Sequence, residues 1–185
     1  MTDSLEYIHS LEYILDSVKR SVSSIDPKTV NALIDSILKA KTIFIYGSGR
    51  SGLIGQFFCV RLVQLGFDVH FVGDMTTPIV TDGDLTILVS NTGNTMSVVQ
   101  TANIASRVGS QVISITDNPD SKLAIASHIV VHLPVFRDKD RSRYAPLGTV
   151  FEESAIMFLD STIPAIMERL GKTESDMRKR HAIWV

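Results

Sequence analysis

The sequence predicts an α/β fold, a three-layer αβα sandwich built on a five-stranded parallel sheet, with extra helices at the amino and carboxyl ends. Five short apolar runs, rich in β-branched and aromatic residues, recur along the 185 residues. Segments with helical periodicity separate most of these runs, and this alternation is typical of a parallel sheet covered on both faces. Apolar residues make up 44% of the chain and charged residues 21%, which fits one globular domain with a substantial core.

Two helices are predicted before the first strand. Apolar residues spaced three or four positions apart from Leu5 to Val22 indicate an amphipathic N-terminal helix over residues 4–24. Asp26 and Pro27 then suit the N-cap and the first position of a second helix. The core of the domain is expected to start with this second helix and to span about 27–171.

Strands and helices alternate through the core. The predicted strands are "TIFIY", "DVHFVG", "LTILVS", "QVISIT" and "HIVVHLP". The predicted helical segments between them are "SGLIGQFFCVRLVQLG", "MSVVQTANIASRVG" and the short "SKLAIAS". The first two end in Gly66 and Gly109, because glycine is the favoured residue just after a helix.

The carboxyl-terminal part departs from this alternation. Residues 134–148 are polar with interleaved charges, so they predict either a solvated loop or a mobile flap over an anionic ligand. A long helix is expected from about 149 to 170, and Pro164 should kink or break it because proline lacks a backbone N–H. A tail over 172–185 completes a single domain of residues 1–185, since no linker composition is visible.

Composition excludes several function classes. The net charge of −2 argues against a general nucleic-acid binder. The single cysteine, Cys59, cannot form an internal disulfide and is expected to be a buried apolar residue. The acidic amino terminus is unlike a signal peptide, and no apolar run reaches the length of a membrane span, so a cytoplasmic protein is expected.

The loop after the first strand, within "YGSGRSGLIG", has the G-x-G-x-x-G spacing of a dinucleotide fingerprint. The glycines of this pattern are Gly47, Gly49 and Gly52. An NAD site would also need an acid at the end of the second strand, and Asp74 comes close to that place. The variable positions are unusually polar for such a site: Ser48, Arg50 and Ser51.

A second polar loop, "SNTGNTMS", follows the third strand and opens a helix. Free N–H groups at a helix N-terminus attract anions, and hydroxyl groups add neutral donors, so the loop can hold a phosphate. The alternative is an ordinary helix cap, but four hydroxyl residues in eight positions exceed what a cap requires. Its predicted binding residues are Ser90, Asn91, Thr92, Gly93, Asn94 and Thr95. Both loops lie at carboxyl ends of parallel strands, where open α/β sheets bind ligands.

The combination of motifs resembles the SIS (sugar isomerase) domain and, within it, the 6-phospho-3-hexuloisomerase family. The matching segments are "YGSGRSGLIG", "VRLVQLGFDVHFVGD", "TTP", "SNTGNT", "PLGTVFEESAIMFLD" and "RKRH". The resemblance implies a flavodoxin-like sheet and conversion of D-arabino-hex-3-ulose 6-phosphate to fructose 6-phosphate through an enediol, as in the ribulose monophosphate pathway. It also implies no metal, no redox cofactor, and a homodimer or homotetramer.

Moving a carbonyl between two carbons requires a base, and Glu152 is the first candidate. Its spacing with Ile156 and Leu159 puts it on the apolar stripe of the long helix, whereas Glu153 falls on a more polar face. An alternative role for Glu152 is a capping box that starts at Thr149. The resemblance matches Glu152 to the family's catalytic glutamate and leaves Glu153 as second choice.

Histidine is the natural group for the proton on oxygen, and His181 is the candidate among five. The others lie in the first helix or on strands, where structural roles are expected. The resemblance implies that His181 reaches a neighbouring subunit's site, with Arg180 close to the phosphate or oxyanion. Arg50 is expected to hold the sugar phosphate or to pair with an acid across a subunit contact. The rival functions are a non-catalytic sugar-phosphate sensor and an NAD-dependent oxidoreductase.

Overall fold

The computed structural model describes residues 2–183, so the last two residues of the predicted tail lie outside the described part. The strands are β1 (Ile43–Gly47), β2 (Val69–Phe71), β3 (Leu85–Val89), β4 (Gln111–Thr116) and β5 (Ile129–His132). The longer helices are α1 (Thr2–Ser23), α2 (Pro27–Lys39), α3 (Arg50–Leu65), α4 (Met96–Arg107) and α7 (Thr149–Leu170). Short helices are α5 (Lys122–Ile125), α6 (Arg141–Tyr144) and α8 (Glu174–Arg178).

The five strands form one parallel sheet in the order β2-β1-β3-β4-β5, which confirms the predicted α/β class. The first strand, β1, lies near the centre of the sheet; the next, β2, lies at one edge, and β3 lies on the other side of β1. The carboxyl ends of β1 and β3 therefore flank the point at which the winding direction reverses. Open α/β sheets bind ligands in the crevice at such a point.

Alternate residues of the strands belong to two apolar clusters on opposite faces of the sheet, because successive side chains point to opposite sides. The larger cluster packs Ile87 and Val89 of β3 against α2, α3 and α7. The smaller one packs Leu88 of the same strand against Val98 and Ala102 of α4. Helices on both faces confirm the three-layer sandwich.

Two predictions for the carboxyl-terminal part need correction. Helix α7 continues past Pro164 to Leu170, so the predicted break is wrong, and the predicted kink stays a prediction. Burial of Ile163 and Ile166 on either side of the exposed proline holds both halves of the helix on the core. The predicted loop at 134–148 contains α6, a single helical turn.

The 134–148 segment is fastened to α1. Ser10 Oγ donates to the Tyr144 carbonyl at 2.6 Å, and the Tyr13 hydroxyl donates to the Asp138 carboxylate at 3.1 Å. Arg20 also lies over the Phe136 ring, 4.0 Å from its centre. Helix α1 therefore acts as a brace for the segment that leads into α7.

Across residues 2–183, no helix combines the length and hydropathy required to cross a bilayer. Within the same residues, no group of three or more His, Cys, Asp or Glu side chains is placed to hold a metal ion.

Candidate active site at the carboxyl ends of the strands

The β1–α3 loop is a tight backbone turn that depends on its glycines. A Cβ atom on Gly47 would lie 2.7 Å from the Ser51 carbonyl, and one on Gly52 would lie 2.6 Å from the Gly47 oxygen. Gly49 adopts a φ of +59°, which favours glycine. The turn leaves Ser48 and Arg50 exposed beyond the carboxyl end of β1.

The β3–α4 loop buries one of its four hydroxyl residues, Ser90, and leaves Thr92 and Ser97 exposed. Ser90 is buried, and its Oγ lies 3.3 Å from Thr95 Oγ1. Thr95 is the N-cap residue of α4, yet within the described residues its side chain makes no capping hydrogen bond. A simple helix cap, the alternative to a phosphate site, therefore does not account for the Thr95 hydroxyl.

Neighbouring elements fix the shape of this second loop. The Asn91 carbonyl accepts hydrogen bonds from Thr116 Oγ1 and from the Asp117 N–H, each at 3.1 Å. The Asn94 side-chain oxygen accepts from the Lys122 N–H at 3.3 Å. Gly93 has a φ of +62° and packs directly on α5. The loop is therefore preorganised before any ligand arrives.

Glu152 lies one turn into α7 and faces the first loop. The Arg50 Nε donates to Glu152 Oε2 at 2.5 Å. The carboxylate side chain is 12% exposed, whereas the Arg50 side chain is 67% exposed, so the guanidinium compensates a buried charge and still reaches solvent. Arg50 therefore pairs with an acid of its own chain, and the predicted contact with an acid across a subunit interface stays a prediction.

The capping-box interpretation of Glu152 is wrong, because α7 begins one residue earlier than that motif requires. Its N-cap is Gly148, and the Thr149 hydroxyl instead donates to the Pro146 carbonyl at 2.7 Å. Glu153 is exposed, as its spacing predicts. Glu152 is therefore free of a capping role and faces a cavity.

The cavity has a volume of about 430 Å³, within the range of small-molecule sites. It is lined by Ser48, Arg50, Ser51, Pro146, Leu147, Gly148, Thr149 and Glu152. The side-chain nitrogen of Asn91 lies 3.6 Å from the position of a Cβ on Gly148, which brings the second loop to the same place. The structure thus brings together the first predicted loop, Glu152 and, from the second loop, Asn91.

A groove of about 280 Å³ continues from Glu152 along the outer side of α3 and α7. Its lining is mainly apolar and comprises Arg50, Leu53, Ile54, Phe57, Glu152, Glu153 and Ile156. Leu53, Phe57 and Val60 form an exposed apolar stripe along α3.

His181 and Arg180 lie at the other end of α3. His181 lines a cavity of about 370 Å³ together with Arg61 and Gln64, and the Arg180 guanidinium packs near Gly66. Arg61 and Gln64 follow Arg50 by 11 and 14 residues of helix, a rise of about 16–21 Å. Within one chain, the structure does not bring these two predicted residues to Glu152.

Three of the remaining histidines make structural contacts. His128 Nδ1 accepts from the Val112 N–H at 2.9 Å, His132 Nε2 lies 3.1 Å from the Asp117 carbonyl, and His70 Nε2 lies 3.1 Å from Asp68. These contacts agree with the structural roles expected for histidines on strands.

The sequence did not single out Leu147, which borders the cavity with a positive φ. A left-handed leucine has no sequence signal, because leucine rarely adopts that conformation.

Comparison with known proteins identifies the family. A family model described as SIS domain matches residues 36–147. A Methanocaldococcus jannaschii protein named 3-hexulose-6-phosphate isomerase is 43% identical over 152 residues, covering 82% of each chain. A Bacillus subtilis protein of the same name is 34% identical over 173 residues, covering 91% of this chain and 94% of its own.

A solved structure from Methanococcus jannaschii gives the same result. That structure, described as one that infers a molecular function of 3-hexulose-6-phosphate isomerase, has a TM-score of 0.84 and 39% identity to this chain. The match covers 92% of this chain and 98% of the other. The chain therefore belongs to the SIS domain family, in the group that includes the proteins named 3-hexulose-6-phosphate isomerase.

Proposed function

We propose that the protein is an isomerase that converts D-arabino-hex-3-ulose 6-phosphate to fructose 6-phosphate through an enediol. The observation that carries this proposal is the Glu152 carboxylate, which is buried, paired with Arg50, and open to a cavity that the polar β1–α3 loop lines and that Asn91 of the second loop approaches. The names of relatives at 34–43% identity support this substrate over other phosphosugars. The reaction moves protons only, so it requires neither a redox cofactor nor a metal.

The phosphate is expected to bind at the β3–α4 loop. The N-terminus of α4 supplies N–H donors and a partial positive charge, and Ser90 and Thr95 add hydroxyl groups. The phosphate lies three carbons from the nearer reacting carbon of the sugar. Binding energy from such a remote group can orient the reacting carbons for catalysis.

Glu152 is the proposed base. Its carboxylate removes the proton from C2, which leaves an enediol across C2 and C3, and then returns a proton to C3. A positioned general base of this kind contributes about 10²–10⁴-fold to the rate. The exposed Arg50 guanidinium lies between Glu152 and solvent, where it can bind an oxygen of the enediol while keeping the carboxylate in place.

A second group must move the proton between the oxygens on C2 and C3, and we assign this role to His181 of the partner subunit. Arg61 and Gln64, which lie beside His181, are about 16–21 Å along α3 from Arg50, and this separation supports a role for His181 in the neighbouring subunit's site. Phe57 lies midway between Arg50 and Gln64, at the centre of the exposed apolar stripe. A two-fold axis at Phe57 would pair the α3 helices in an antiparallel manner.

That pairing would place one end of the partner's α3 beside Arg50, so that His181 of the partner subunit would lie close to Glu152. It would also cover an apolar stripe that otherwise faces water. We therefore propose a homodimer, or a homotetramer made of such dimers. We also propose that the enzyme is cytoplasmic and, as the family resemblance implies, serves the ribulose monophosphate pathway.

The test is an isomerisation assay with hex-3-ulose 6-phosphate that follows fructose 6-phosphate by a coupled reduction of NADP. The unaltered protein should give turnover, and it should be far less active on arabinose 5-phosphate. Activity only on another phosphosugar would refute the proposed substrate. Absence of activity on any phosphosugar would refute an isomerase.

The role of Glu152 has a matched control in the adjacent carboxylate. Glu152→Gln should lower kcat by about 10²–10⁴-fold while fructose 6-phosphate still binds. Glu153→Gln, which alters an exposed carboxylate on the same helical turn, should leave kcat nearly unchanged. A larger loss in Glu153→Gln would transfer the role of base to Glu153.

A further inference from the structure

Leu147 combines two unfavourable features at the mouth of the cavity. Among residues 2–183, it is the non-glycine residue with a positive φ, at +57°. This left-handed conformation brings the Cβ of an L-residue too close to the carbonyl oxygen, so leucine is strained there. The side chain is also 89% exposed. Neither backbone preference nor burial within the chain explains a leucine at this position.

Hydrogen bonds on both sides hold the strained conformation. The Arg141 guanidinium donates to the Leu147 carbonyl at 2.8 Å, and the Thr149 hydroxyl donates to the Pro146 carbonyl at 2.7 Å. Ala145, two residues before Leu147, is fully buried and donates its N–H to the Arg141 carbonyl at 2.8 Å. Strain that the surroundings impose in this way is concentrated at functional sites in proteins.

The same turn shapes the cavity around the proposed base. A Cβ on Gly148 would lie 2.9 Å from Glu152 Oε1, so the carboxylate packs directly on the backbone of the turn. Leu147 then lines the cavity together with Ser48, Ser51 and Glu152. Polar groups occupy one part of the wall and an apolar side chain occupies another. A phosphosugar matches such a cavity, because its oxygens need donors while its C–H groups present an apolar face.

We propose that Leu147 is a substrate-covering residue. Its side chain packs on the C–H face of the bound sugar, displaces water from Glu152, and thereby positions C2 against the carboxylate. Arg141 is the positioning residue that fixes this conformation through the Leu147 carbonyl. The inference rests on the proposed function, since it concerns the substrate of the same site.

Three variants separate the side chain from the backbone strain. Leu147→Ala removes the side chain but keeps a Cβ in the left-handed conformation. Leu147→Gly removes both, and Leu147→Met keeps an apolar cover of similar volume. Each is assayed for kcat and KM with hex-3-ulose 6-phosphate, for melting temperature without ligand, and for oligomeric state by sedimentation velocity.

If Leu147 covers the substrate, kcat/KM should fall by about 10-fold in both Leu147→Ala and Leu147→Gly. In Leu147→Met, kcat/KM should stay within about threefold of the unaltered protein. The melting temperature of Leu147→Gly should exceed that of Leu147→Ala by about 1–4 °C, because only glycine relieves the strain. An unchanged kcat/KM in Leu147→Ala overturns the inference. A changed oligomeric state in Leu147→Ala also overturns it, since Leu147 would then be a subunit contact.

The proposed function and the role of Leu147 can fail separately. If the unaltered protein does not isomerise hex-3-ulose 6-phosphate, the proposed function is refuted. The role of Leu147 as a substrate-covering residue is then tested by the Kd of fructose 6-phosphate, measured by calorimetry. Weaker binding by Leu147→Ala supports this role, whereas an equal Kd or no binding by the unaltered protein overturns it.

Discussion

Replacing Gly93 with alanine tests the geometry of the proposed phosphate loop. Gly93 has a φ of +62° and is buried between the β3–α4 loop and α5. A Cβ there would lie 2.0 Å from Ser121 Oγ and 2.9 Å from Thr116 Oγ1. Both the backbone conformation and the space therefore exclude a side chain.

The loss of stability expected for Gly93→Ala is the sum of a backbone cost and a packing cost. The left-handed conformation costs a non-glycine residue about 1–2 kcal/mol. Forcing an extra carbon into a packed site costs about 1–3 kcal/mol more. Gly93→Ala should therefore lower the free energy of unfolding by about 2–5 kcal/mol, which corresponds to a fall of about 4–20 °C in melting temperature.

Gly171→Ala is the matched control. Gly171 also has a φ of +62°, but within the described residues a Cβ at this position would meet no atom within 4 Å. Gly171→Ala should therefore lower the free energy of unfolding only by the cost of the left-handed backbone, about 1–2 kcal/mol. Urea unfolding of both variants measures the difference. Equal losses in the two variants would refute the tight packing of the β3–α4 loop against α5.

Three other predictions concern the tail, the thiol and the shared site. Cys59 is partly rather than fully buried, and desolvation raises the pKa of its thiol to about 12. It should therefore react with a thiol reagent at pH 8 much more slowly in the native protein than after unfolding, and rapid labelling of the native protein would contradict this. The hydrogen bond from Thr173 lowers the pKa of the Asp176 carboxyl, so this capping box stabilises α8 at neutral pH and is lost in strong acid. The stability deficit of Asp176→Asn in urea unfolding should therefore shrink below pH 4, and a constant deficit would be inconsistent with it. Mixing inactive Glu152→Gln and His181→Ala subunits should restore activity through one intact site per mixed dimer, and a mixture that stays inactive would exclude His181 acting in trans.

The sheet and both polar loops could be predicted because their signals are local. Strand runs such as Ile43–Gly47 are short and apolar, and glycines mark the turns that follow them. Hydroxyl residues at the start of α4 are informative because a helix N-terminus has free N–H groups whatever the rest of the fold.

Tertiary contacts explain what the sequence could not predict. Arg50 and Glu152 are 102 positions apart, so their pairing depends on how α3 and α7 pack on the sheet. Helix α7 passes through Pro164 because burial on both sides outweighs one missing hydrogen bond. The left-handed Leu147 depends on a hydrogen bond from Arg141, which no local rule reveals.

NMR in D₂O can follow the proton transfer by which Glu152 is proposed to isomerise a hexulose phosphate. With the unaltered protein and hex-3-ulose 6-phosphate, fructose 6-phosphate should form with deuterium at C3, because the base exchanges its proton with solvent. Glu152→Gln should form product at least 100-fold more slowly. Absence of fructose 6-phosphate with the unaltered protein, or product at the unaltered rate with Glu152→Gln, would contradict isomerisation by Glu152.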